Sequence, residues 1–78
     1  MFELWDGVSG NLLQVYSTQA EAFAAVRAFL NAYGRPAAEE LAVIRIDRRG
    51  RSRRVAQGAA LIELARQSEP LPPAVRAS

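Results

Sequence analysis

The chain has 78 residues, half of them hydrophobic and 23% charged, with no cysteine and no histidine. That length accommodates one domain, and the two missing residue types exclude a disulfide, a thiolate zinc centre and a histidine-ligated haem. The net charge of +2 is unevenly spread: residues 45–54 hold six arginines (Arg45, Arg48, Arg49, Arg51, Arg53, Arg54) against one acid, Asp47, while the remainder holds four arginines and seven acids.

Phe2 to Asp6 and Asn11 to Tyr16 are short aromatic and aliphatic stretches separated by Gly7-Val8-Ser9-Gly10, a pattern that predicts a β-hairpin. Thr18 followed by Glu21 is a capping box that starts a helix. Phe23, Val26, Leu30 and Tyr33, widened by Ala22 and Phe29, give that helix its apolar stripe. Gly34 and Arg35-Pro36 end it, and a loop through Ala37-Ala38-Glu39-Glu40 is expected next. Leu41 to Ile46 then reads as a strand, Arg48-Arg49-Gly50-Arg51 as a polar turn, and Arg53 to Gln57 as the strand's hairpin partner. Gly58 opens a second helix with Leu61, Ile62, Leu64 and Ala65 as its stripe. Pro70, Pro72 and Pro73 prevent its continuation, so residues 69–78 are expected to form a flexible tail after a single domain over 1–68.

The two halves echo one another at a spacing of about 40 residues: Trp5-Asp6 lies over Ile46-Asp47, Gly10 over Gly50, Val15 over Val55 and Ala20 over Ala60. The expected fold is therefore α+β, an antiparallel four-stranded sheet in ββα-ββα order with both helices on one face. Alternation assigns Phe2, Leu4, Leu13, Val15, Ala42, Ile44, Ile46 and Val55 to the core side. The opposite side then receives Glu3, Trp5, Leu12, Gln14, Tyr16, Val43, Arg45, Asp47 and Arg54. Apolar groups at Trp5, Leu12, Tyr16 and Val43 on a face the helices do not shelter mark a protein interface. A register shifted by one residue, or a segment folded over Trp5, would account for the same residues without a partner.

Nothing here assembles the chemistry of an enzyme. Nucleophilic catalysis usually wants a serine, cysteine or threonine beside a base, and with no histidine, cysteine or lysine only carboxylates or tyrosines could serve. The acids are scattered. Asp6 and Asp47 occupy equivalent strand ends, where an Asx turn is the expected role and a shared cation the alternative. No glycine-rich phosphate loop stands between a strand and a helix, and no cofactor or metal is expected. The arginine run is the remaining feature with chemical content: guanidinium groups beside aromatic rings on a sheet suit DNA or RNA, with Arg45, Arg48, Arg49, Arg51, Arg53 and Arg54 as candidate contacts.

Phe2-Glu3-Leu4-Trp5-Asp6, Ser9-Gly10-Asn11-Leu12-Leu13, Tyr16-Ser17-Thr18 and Glu21-Ala22 resemble the pattern of short, uncharacterised proteins of high-GC bacteria of the actinobacterial and chloroflexal type. The resemblance spans residues 2–67 and implies the ββα-ββα order, with no activity attached. The hairpin followed by a threonine-capped helix is similar, more distantly, to the arm-binding domains of phage integrases, which read DNA with a three-stranded sheet, and to small partial ribonuclease-H-like antitoxins. No apolar run reaches the roughly 18 residues of a membrane span and Met1 to Asp6 lacks signal-peptide character, so a cytoplasmic location is expected. A domain this small buries only about 60% of its unfolded surface, which makes self-association, most simply a homodimer, the expected source of added stability. The functional expectation is a non-catalytic module that pairs with itself or another protein through its open sheet face, with nucleic-acid binding as the alternative.

Overall fold

A computed structural model describes residues 1–68 of the chain, and the expected tail, 69–78, lies outside the described residues. Two hairpins, β1 (Phe2–Asp6) with β2 (Asn11–Tyr16) and β3 (Leu41–Ile46) with β4 (Ser52–Gln57), each lead into a helix, α1 (Gln19–Tyr33) and α3 (Gly58–Gln67). A single turn of helix, α2 (Arg35–Ala38), stands where the sequence suggested a loop. Pro36 lies in its first turn, where a missing backbone N–H costs nothing and the fixed φ is already helical. The hairpins join through β1 and β3, giving an antiparallel sheet in the order β2-β1-β3-β4.

Local chemistry sets the element ends. Thr18 Oγ1 accepts the Glu21 N–H at 3.1 Å and Glu21 Oε1 accepts the Thr18 N–H at 3.1 Å, a closed capping box. At the far end the Gly34 N–H donates to Leu30 O at 2.9 Å, with Gly34 at φ 88°. The two β-turns share one device. Asp6 Oδ1 accepts the Val8 N–H at 3.0 Å and Oδ2 the Ser9 hydroxyl at 2.8 Å; Asp47 Oδ1 accepts the N–H groups of Arg49 at 2.8 Å and Arg51 at 2.9 Å. Both carboxylates therefore act as turn caps. Because β1 and β3 run antiparallel, Asp6 and Asp47 lie at opposite ends of the sheet, which rules out a shared cation.

These hydrogen bonds hold the Asp6 carboxyl below its ordinary value of 3.8, with Ser9 contributing most and the Val8 N–H next. The folded pKa is thus lower than the unfolded one, so the stabilisation is complete above the unfolded value and is lost as pH falls through the folded one. Thermal melts should accordingly show Asp6→Asn less stable than wild type at neutral pH, with the two curves converging in the acid range once the wild-type carboxyl is protonated.

Leu4, Val43 and Ala56 from the sheet pack with Phe23 and Val26 of α1 and Leu61 and Ala65 of α3 in one cluster, so both helices cover the same side. Directly paired residues of an antiparallel ladder share a side. Leu4 faces Val43 and Phe2 faces Arg45, which places Val43 and Arg45 on the helix side. This corrects the expected faces of β3: Val43 is fully buried in the core, while Ala42, Ile44 and Ile46 lie on the side of Trp5, Ala42 there being only 7% exposed. The expectation for β2 is corrected as well. Leu4 pairs with Gln14 and Trp5 with Leu12, so Leu13 is an extra, bulged residue. Tyr16, opposite Phe2, lies on the helix side against the core, and Val15, opposite Glu3, lies on the open side. A second bulge occurs in β4, where Val43 pairs with Ala56 and Ile44 with Arg54, leaving Val55 extra.

Candidate functional site

The open side of the sheet is organised in two rows. Val15, Glu3, Ile44 and Arg54 lie side by side across the four strands, and Leu12, Trp5, Ala42 and Gln57 form the neighbouring row. Ile46 beside Ser52 extends the face toward the β3–β4 turn. Six of these ten side chains are apolar, concentrated on the three strands β2, β1 and β3. Leu12 is 44% and Val15 40% exposed, although each belongs to a strand whose other side joins the core. The Trp5 indole N–H donates to Glu3 Oε1 at 3.1 Å, which ties the ring to its neighbour two residues back on the same face of β1. Glu3 and Arg54 are the two charged groups of the face, separated by Ile44.

Of the four residues the sequence nominated for this surface, Trp5 and Leu12 are brought together as a direct cross-strand pair. Tyr16 and Val43 belong to the other side. In their place the structure adds Val15, Ala42, Ile44 and Ile46. One signal in the sequence pointed to part of this set: the echo of Trp5-Asp6 in Ile46-Asp47 puts Ile46, and with it Ile44 and Ala42, on the side of Trp5.

The arginines divide among three places. Arg54 is on the open face; Arg45 and Arg53 are direct partners on the helix side; Arg48, Arg49 and Arg51 belong to the β3–β4 turn and its flank. Among the described residues the one ion pair within 4.0 Å is Arg35 with Glu39, at 3.2 Å, so none of the six is neutralised by a carboxylate there.

A third surface went unread in the sequence. Leu13, Tyr16, Phe29 and Tyr33 border an apolar groove of about 460 Å³ between β2 and α1, with the Phe29 and Tyr33 ring centres 4.7 Å apart. Among the described residues no three histidine, cysteine, aspartate or glutamate side chains cluster as a metal site, no polar side chain is buried, and no helix is long and apolar enough to cross a membrane. Comparison with models of protein families, with curated proteins and with solved structures gave no match in any of the three.

Proposed function

We propose that this chain is a non-catalytic protein-interaction module that pairs with a second copy of itself by stacking the two open sheet faces. The observation that carries this reading is the pairing of a large and a small residue at the centre of the face, Trp5 opposite Ala42. A two-fold axis running along the strands between β1 and β3 lays β1 of one copy over β3 of the other. Trp5 then meets Ala42 of the second copy, and the same fit is repeated on the other side of the axis. Large against small at facing positions is what fills the space between stacked sheets, about 10 Å apart. The same operation brings Glu3 of each copy next to the strand bearing the other's Arg54, so the two charged groups of the face are complementary under that symmetry.

The alternative way for a sheet to pair is edge to edge, and both edges here discourage it. β2 and β4 each carry a bulge, which twists the strand and interrupts the row of N–H and C=O groups that another strand would need. Stacking leaves the edges out of the interface.

Sedimentation equilibrium is expected to give about 17 kDa, twice the 8.5 kDa of one chain. Leu12→Glu places a charge on an exposed position of the face and should produce monomers with an unchanged circular dichroism spectrum. Glu3→Arg and Arg54→Glu should each weaken association, and their combination should restore it. A monomer at ~0.1 mM wild-type protein, corresponding to a free energy too small for a specific dimer, would reject the reading.

A further inference from the structure

We propose that Arg45 and Arg53 form a binding site for the phosphate backbone of a nucleic acid. The two are direct cross-strand partners at the end of the sheet that carries the β3–β4 turn, on the helix side, and both are exposed. Like charges directly opposite in a ladder repel one another. Among the described residues no carboxylate lies within 4.0 Å of either guanidinium, and Asp47, which borders the same concavities, has its Oδ1 committed to two turn N–H groups. An anion from outside is the missing partner.

The shape around the pair suits an extended anion better than a single ion. Arg45 stands between two concavities: one of about 550 Å³ bordered by Phe2, Ser17, Arg48 and Arg49, and one of about 380 Å³ bordered by Arg51, Ser52 and Arg53. Arginines therefore line both concavities at this end of the sheet, with Ser17 as a further hydroxyl-bearing neighbour and Asp47 as the one acid bordering both. Planar guanidinium forks bind phosphate oxygens in pairs. A lipid surface would present the same phosphates, but the segment Asp47-Arg48-Arg49-Gly50-Arg51-Ser52-Arg53 carries no apolar side chain to enter a bilayer, which favours nucleic acid. The Arg45–Arg53 pair lies on the side of the sheet opposite Trp5 and Leu12, so these two guanidinium groups stay open whether or not two copies stack.

The test is fluorescence anisotropy of a labelled DNA duplex and a labelled single-stranded RNA, each titrated at several salt concentrations. Binding is expected, weakening as salt rises. Arg45→Gln and Arg53→Gln should each lower the log–log salt slope by about 0.9 on duplex or about 0.7 on a single strand. Arg35→Gln, which removes the same charge at the other end of the sheet, should leave the slope unchanged. Circular dichroism melts establish that each exposed substitution leaves the fold intact, and Leu12→Glu should retain the slope contributed per chain even as a monomer. Three results would overturn the proposal: no anisotropy change up to ~0.1 mM protein at low salt, an unchanged slope in the Arg45→Gln/Arg53→Gln double variant, or equally tight binding to phosphatidylserine vesicles.

Discussion

Val43→Asp is expected to leave the chain unfolded at room temperature, whereas Ile44→Asp, one residue along, is expected to leave it folded and monomeric. Val43 is fully buried among Leu4, Phe23 and Leu61 in the cluster beneath the helices. An aspartate there must either ionise without a partner or take up a proton, and the effective cost of an unpaired buried charge is several kcal/mol. A domain with 68 described residues has a total stability of roughly 3–10 kcal/mol, so a loss of that size removes most of it. Ile44 faces the other way, half-buried between Glu3 and Arg54. Aspartate at that position keeps access to water and has Arg54 as one cross-strand neighbour to offset Glu3 as the other, so it costs far less in the monomer than Val43→Asp while charging the centre of the stacking face. Far-ultraviolet circular dichroism reads the first outcome and sedimentation the second. Equal damage from the two substitutions would mean that β3 is paired in the other register.

Leu61→Ala is expected to lower stability by about 3 kcal/mol, in the range observed for leucine truncations that leave a cavity. Leu61 has no exposed surface and joins α3 to the sheet and to α1 in the shared core. For a domain of this size, that loss lowers the melting temperature by roughly 15 °C. Leu64 on the same helix is 39% exposed, and Leu64→Ala should shift the melt by only a small fraction of that amount. The contrast tests which stripe of α3 is buried, since the sequence placed Leu61, Ile62, Leu64 and Ala65 together, and Leu64 lies at its rim.

The faces of the strands were harder to read than the strands themselves, and β3 shows why. Leu41, Ala42, Val43, Ile44 and Ile46 are apolar at both parities, so alternation alone favours Ala42, Ile44 and Ile46 over Leu41 and Val43 and points the wrong way. The side is decided by β1, which sets Leu4 against Val43 and Trp5 against Ala42. In β2 the difficulty is different. The alternation around Leu13 is broken by an extra residue, which turns Tyr16 and Gln14 to the side of Leu4 while Leu12 stays with Trp5. A bulge inserts one residue without any change of composition, and the hydrophobic pattern carries no mark of it.

What the sequence determined by itself is governed by neighbours a few residues apart: the hairpins, the Thr18–Glu21 cap, the Asp6 and Asp47 turns, the Gly34 stop, and the concentration of arginine in the second hairpin. Those features depend on hydrogen bonds and dihedral preferences within a short stretch of chain. Only the tertiary structure decided which residues share a surface, because that depends on the pairing of β1 with β3, about 40 residues apart in the chain, and on the two bulges. A one-residue slip in either reverses the side every later side chain faces. Trp5 and Leu12 were recognisable as a patch from their own hairpin, while Ile44, Ile46 and the Arg45–Arg53 pair acquired their places from contacts made across the sheet.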